Sequence, residues 1–499
     1  MVDPTPSDFR KRPSETDMDS PLASLSRRLF LQRSGMGFGS LALASLLEQD
    51  GLLSTPATAA ESKPRVDLLP RNGHFPAQAK SVIMLFQSGA PSQMDLFDPK
   101  PELQQKHGKD VGIDSLQGRA REPLMASPFA FRPRGESGIE FSELVPHLGS
   151  MADDLCVIRS MYTFDPCHAG APLIFLTGKL AFGRPTLGSW IGYALGTENQ
   201  NLPSYVVLHD IEGHNTAGAA LWDNGWLPAL YRGTEFRPKG SPVLNLRAAR
   251  KLPAGADADD LRLIGRLNQK YADRFPQATD LETRIRNYEL AARMQLAAEK
   301  NLDLSTETAT TKKLYGLENP ATAEYGTQCL MARRLVEAGV RFIQIMNKPH
   351  NPWDHHSNLK KRLPETCLAT DQPSAALIAD LKQRGLLDET LVVWVGEFGR
   401  LPTSQGGTGR DHNMHAFTAL AAGGGLKYGH VHGATDEFGH RAEVDRVSVL
   451  DLLATILHQV GLDHTRLTYK HNNLEESLTD ARTTDASVVG ELLQDPVLS

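Results

Sequence analysis

Six short, almost unbroken apolar runs constrain this chain more than any other feature: Ser81–Phe86, Leu155–Ile158, Val206–Leu208, Val340–Met346, Thr390–Val395 and Ala416–Ala421. They do not alternate apolar with polar, so each reads as a strand covered on both faces, the habit of parallel sheets. Helical stretches separate them: His168–Thr177 closed by Gly178, the pattern Leu281-x-x-x-Ile285-x-x-Tyr288-x-x-Ala291-x-x-Met294, then 321–338, 373–384 and 447–460. Strand–helix alternation over this length predicts an α/β fold with a doubly wound, mostly parallel sheet. Residues 99–140 are rich in Pro, Gly and charge and read as an irregular excursion. Gly, Pro and Trp crowd 210–255, and 257–301 is helical, so 210–310 reads as an insertion, partly a loop-rich lid, in a domain spanning 81–485.

Three polar clusters sit against these strands. Trp353-Asp354-His355-His356 and Gly396-Glu397-Phe398-Gly399-Arg400 each follow one, and Gly409-Arg410-Asp411-His412-Asn413-Met414-His415 precedes one. The carboxyl edge of an open α/β sheet is where sites assemble. Asp, Glu and several His gathered there have the ligand types of a divalent-metal centre, for Zn, Mn, Ca or Mg. Glu397 ends an apolar run, and an acid buried there is costly unless paired or metal-bound. Arg400 offers a local salt bridge as the simpler partner. Asp354, His356, Glu397 and His412 are therefore the primary metal-ligand candidates, with Asp95 and His415 as further ones.

Upstream, Asp98 beside Pro99 has the look of a turn residue, which leaves Asp95 as the candidate of that pair. His168 stands at the expected start of a helix, where free amide groups favour phosphate or sulfate. Cys167 beside it is a weaker candidate, as a nucleophile activated by the helix end. Arg184 in Gly183-Arg184-Pro185 and Arg400 are cations able to hold an anion. Gly423-Gly424-Gly425 is not a phosphate loop, since no Lys-Ser/Thr follows it.

A formal charge of -6 supplies no basic surface, which argues against nucleic acid as a partner. The four cysteines are widely spaced without a C-x-x-C, and three pairings are open to them if oxidised. The N-terminus carries Ser26-Arg27-Arg28-Leu29-Phe30-Leu31, a small-residue apolar stretch from Gly35 to Leu47, and Ala57-Thr58-Ala59. That is a twin-arginine leader with an A-x-A cleavage site, so residues 1–59 are the expected signal region and 60–80 a linker. It makes the Tat export machinery an expected partner and the periplasm or extracellular space the destination. The apolar stretch is too short to span a bilayer, so the mature chain is expected to carry no transmembrane anchor.

With that leader, the ordered blocks resemble an exported bacterial family of unknown function often labelled sulfatase-like. They are Ser88-Gly89-Ala90-Pro91-Ser92-Gln93-Met94-Asp95-Leu96-Phe97-Asp98-Pro99-Lys100-Pro101, Gly183-Arg184-Pro185-Thr186-Leu187-Gly188-Ser189-Trp190, and the three clusters above. The family in turn resembles a distant branch of the alkaline phosphatase and sulfatase superfamily. The carriers are Glu389-Thr390-Leu391-Val392-Val393-Trp394 before Glu397 and Asp451-x-x-x-Thr455-x-x-x-x-x-Gly461. The resemblance implies an alkaline-phosphatase-like sheet, one or two divalent metals, and hydrolysis of sulfate or phosphate esters from a Ser, Thr or formylglycine nucleophile.

This chain departs from that pattern in four places. His168 stands where the nucleophile belongs, and no Cys-x-Pro-x-Arg signature exists. Glu397-Phe398 replaces Asp-His, and Ser88 replaces an acid after the first strand. Two readings follow. The first is an exported metal-dependent hydrolase of sulfate or phosphate esters, with an anionic ester or polysaccharide as substrate and His168 as nucleophile or acid. The second is a non-catalytic exported binding or scaffold protein that kept the fold without the nucleophile.

Overall fold

The computed structural model describes residues 66–497 apart from 115–120, 210–212, 214, 241–242, 244–255, 275–278 and 348–349. The expected twin-arginine leader lies outside the described residues. The apolar runs form one nine-stranded sheet. Its strands are β1 (Ser81–Phe86), β2 (Cys156–Tyr162), β3 (Tyr205–Leu208), β4 (Thr234–Phe236), β5 (Phe342–Met346), β6 (Thr390–Val395), β7 (Phe417–Ala422), β8 (His430–His432) and β9 (Val447–Ser448). The order across the sheet is β8-β2-β7-β6-β1-β5-β3-β4, with β9 also pairing to β2. Every residue of β1, β3, β5, β6 and β7 is buried, as unbroken apolar runs require.

All neighbours run parallel except those of β7, which is antiparallel to both β6 and β2. The fold is therefore a mostly parallel α/β sheet with flanking helices. Helices cover Ala171–Thr177, Leu187–Leu195, Ala323–Glu337 and Val449–Gln459, the last opened by a Ser448–Asp451 capping box. Gly178 closes the first with a left-handed φ of 79°. No helix among the described residues is long and apolar enough to cross a membrane.

Several expectations shift. The helix anticipated at 373–384 is 25 residues long, Leu359–Gln383, and carries Pro364 and Pro373 inside it. The helix anticipated from His168 begins at Ala171, leaving His168 in the turn before it. Within 99–140, Phe131–Arg134 and Ile139–Ser142 pair as an antiparallel hairpin. The stretch 66–80 lies against the body, with Val66, Leu68 and Ala79 buried. Packing also continues past 485, where Leu492 and Leu493 are buried and Leu493 bridges to Leu426. Within 210–310, the helices Ala256–Arg274 and Thr279–Leu302 are the long elements.

Candidate metal centre

Strand direction brings the polar clusters together. β1, β2, β5 and β6 all leave the sheet at one edge, while β7 enters there. Residues just before β7 thus share an edge with residues just after the others. Thr163 N donates to Met414 O at 2.9 Å, tying the exit of β2 to the entry of β7. Gly399–Arg400 then pairs antiparallel with His412–Asn413, setting Arg400 opposite His412. β1 ends in a tight turn at Gly89, whose φ is 105°. A Cβ there would lie 2.7 Å from Asn351 O and Trp353 N, so only glycine lets the chain pass the Trp353–His356 segment.

Asp354 Oδ1 is the meeting point. His356 Nε2 lies 2.9 Å from it, His168 Nε2 3.3 Å, His412 Nε2 3.4 Å and Arg400 Nη2 2.6 Å. Glu397 is fully buried below. Its Oε1 accepts from Gly89 N at 2.8 Å and faces His168 Nδ1 at 2.6 Å. His412 Nδ1 is held by Pro166 O at 2.6 Å, and His356 Nδ1 by Gln405 Oε1. Phe398, also buried, stacks obliquely on both His168 and His412. These contacts aim three imidazole Nε2 atoms at one carboxylate.

Burial alone would raise the Asp354 carboxyl, but the His168, His356 and His412 imidazoles set against it and the charge of Arg400 hold it far below the usual range. It stays ionised at any working pH. Burial lowers His412, despite Asp354, and keeps it neutral as a metal ligand must be. His168 is also pushed down by burial, but its bonds to Asp354 and Glu397 outweigh that and raise it. The bond to Asp354 raises His356. His355 points the other way: it is buried, its Nε2 lies 3.3 Å from Thr366 Oγ1, and burial with Arg400 pushes its imidazole down to about 3.

The donor set fits a divalent ion. Two groups, His168–Asp354–His412 and His356–Asp411–His412, each offer atoms within 4.8 Å of one another. Two buried carboxylate oxygens of the cluster, Glu397 Oε2 and Asp411 Oδ2, have no hydrogen-bond partner among the described residues. Orphaned buried polar atoms are rare, and two in one cluster is the pattern an absent ligand leaves. Imidazole and carboxylate donors suit Zn or Mn, and a site richer in carboxylates would suit Ca or Mg.

Not every expected residue joins this cluster. Asp95 makes a fully buried two-point pair with Arg410, at 2.6 and 3.1 Å, and also accepts from Ser92 Oγ at 2.5 Å. His415 stands apart, its ring edge-on to His440 at 6.0 Å. The Arg184 guanidinium is buried against Glu476 and Ser477 O and lies over the Trp226 ring. Arg400 is buried too, committed to the carbonyls of Gly89, Ala90, Trp353 and Arg410 besides Asp354. Arg400 shapes the site from within, whereas the partners of Arg184 lie outside the cluster. Cys167 is exposed, with its thiol raised by burial and by Asp165, which does not make an activated thiolate. Two residues of the cluster, Asp411 and Gln405, are not among the singled-out ligand candidates of the sequence. Asp411 adjoins His412 and had its signal there. Gln405, seven residues before His412, has none.

This geometry defines a class: an α/β protein whose sheet edge presents a histidine–carboxylate cluster suited to a divalent ion. The chain belongs to the family described as "Protein of unknown function (DUF1501)", whose model matches residues 79–493. Among curated proteins, none matches it. Among solved structures it is similar to the PsFucS1 sulfatase from Pseudoalteromonas sp., at 12% identity over 79% of this chain and 68% of that one, with a TM-score of 0.33. It is similar to the phosphonate monoester hydrolase SpPMH from Silicibacter pomeroyi at 12% identity over 71% and 72%, TM-score 0.33. It is also similar to the lipoteichoic acid synthase LtaP from Listeria monocytogenes, at 10% identity over 78% and 74%, TM-score 0.34.

Proposed function

We propose that this chain is an exported, metal-dependent hydrolase of sulfate or phosphate esters. The supporting observation is the convergence of three imidazole Nε2 atoms on Asp354 Oδ1, with two buried carboxylate oxygens of the same cluster left without hydrogen-bond partners among the described residues. Export rests on the twin-arginine and Ala-Thr-Ala patterns of the leader.

In this reading Asp354, His356, Asp411 and His412 hold the ion. A bound divalent ion supplies Lewis acidity and lowers the pKa of a water it binds. The chain's own residues do the rest. Arg400 fixes the Asp354 carboxylate from behind. Gln405 and Pro166 O fix the His356 and His412 rings through their Nδ1 atoms, a supporting layer that metal sites depend on. Glu397 engages His168 Nδ1, so Nε2 is the atom that takes a proton from the attacking water or returns one to the leaving oxygen. Buried Phe398 covers one side of both rings and excludes water there.

The test is metal analysis of protein recovered from the periplasm, then turnover of aryl sulfates and aryl phosphates. Stoichiometric metal is expected, with His168→Ala keeping metal and losing turnover. Absence of metal, with no loss of stability in EDTA, would overturn the reading. Metal without turnover of any ester would leave the binding-protein alternative standing.

A further inference from the structure

Beside the centre lies a cavity of about 560 Å³ whose lining includes Lys360, Lys361, His107, Asn358 and Thr408 and no carboxylate. Both lysines are exposed, and neither forms an ion pair among the described residues. His107 Nδ1 accepts from Ala126 N at 3.2 Å, which leaves Nε2 as the ring's donor. The charge here runs against the fold's own preference. Helix Leu359–Gln383 opens Leu-Lys-Lys-Arg with no acid in its first turn, although a helix start favours anions and disfavours cations. Local features that oppose folding are expected where function requires them.

The cavity wall and the mount of the metal cluster are the same chain segments. Asn358 is two residues past His356, and Gly407 is two residues past Gln405, which holds the His356 ring. Leu359 N donates to Thr408 O at 2.9 Å and Asn358 N to Thr408 Oγ1 at 3.3 Å, locking the two segments together. Gly409 packs so closely that a Cβ would sit 2.1 Å from the His356 carbonyl.

We infer that this cavity is a subsite for a second sulfate or phosphate group on the same substrate molecule. The inference rests on the ester-hydrolase reading for what sits at the metal centre. The substrate class is then a polyanionic carbohydrate carrying repeated ester groups rather than an isolated monoester. Two lysines, the Nε2–H of His107 and a helix start supply charge and donors for one such group.

The test uses the full, metal-loaded protein and calorimetric binding of sucrose octasulfate, inositol hexakisphosphate and inorganic sulfate. Lys360→Ala/Lys361→Ala should weaken the favoured polyanion roughly tenfold or more, as loss of two charged contacts predicts. Turnover of an aryl monoester should be unchanged, and any inorganic sulfate bound at the subsite should weaken along with the polyanion. The double Lys→Arg variant should restore polyanion binding. Preference for octasulfate or for hexakisphosphate identifies the group taken. Unchanged polyanion affinity in the alanine variant overturns the subsite. An equal fractional loss of aryl monoester turnover also overturns it, as a general field effect. Lysine-dependent polyanion binding without turnover of any ester supports the subsite and overturns the hydrolase reading alone.

Discussion

Asp354→Asn separates a metal ligand from a mere salt-bridge partner. The exchange keeps the side chain's shape and removes its charge, leaving buried Arg400 without its only carboxylate partner among the described residues. Breaking a buried ion pair costs about 3–5 kcal/mol. Asp354 is 24% exposed, so solvent screening brings this to roughly 2 kcal/mol. Unfolding entropy of about 2.1 cal/mol/K per residue over roughly 430 folded residues gives ~0.9 kcal/mol/K, so the charge loss alone lowers Tm by about 2 °C. An ion present at a thousand times its Kd adds about 4 kcal/mol, worth roughly 4–5 °C. Wild type should therefore lose roughly 4–5 °C in EDTA. The variant should melt roughly 6 °C below metal-loaded wild type and not respond to EDTA. Thermal melts with and without chelator, with elemental analysis of each sample, decide it. A variant that keeps wild-type metal stoichiometry and its EDTA shift refutes the assignment of Asp354 to the ion.

Asp95→Asn tests whether that carboxylate is structural. It strands Arg410 in a fully buried site, so a loss of about 3–5 kcal/mol with unchanged metal content is expected. Metal loss without destabilisation would return Asp95 to the centre. Asp371 carries a pH signature. Burial raises its carboxyl to about 6, even though it accepts from His147 N and Leu148 N. The folded state then holds a proton that the unfolded state has released, so stability falls as pH rises from about 4 to 6, by up to ~3 kcal/mol. Denaturant titrations across that window should show the slope in wild type and lose it in Asp371→Asn; identical profiles would refute the raised carboxyl. Of the four thiols only Cys167 is exposed, so a thiol reagent should label one site in the native protein and three more on unfolding. Cys167→Ala should leave ester turnover unchanged, and loss of turnover with metal retained would make the thiol a participant.

The strands were legible because burial on both faces demands unbroken apolar sequence, which few other structures do. β1 and β6 match their expected ends, and the others differ by a few residues. The long helix was half hidden. Pro373 reads as a helix start, since its missing amide is harmless in the first turn. Here it sits mid-helix, where Thr366, Thr370 and Ser374 turn their hydroxyls back to the carbonyls four residues earlier. The hairpin at 131–142 was masked by Pro133 and by charged residues that face out on a two-stranded edge.

The site was legible in its segments, and which side chains of the third segment reach the cluster was the harder part. His412 and His415 look like a pair when three-residue spacing is taken as helical. His412–Asn413 is extended and pairs with Gly399–Arg400, whereas His415 falls in the bend that follows, its ring against His440, and Asp411 stands just before the pair. The odd placement of that cluster, before its strand and not after it, was itself the clue. In an all-parallel sheet those residues would lie at the opposite edge from Asp354 and Glu397. Only an antiparallel β7 returns them to the shared edge, so a histidine–carboxylate cluster drawn from all three segments requires the strand that is reversed among the described strands of the sheet.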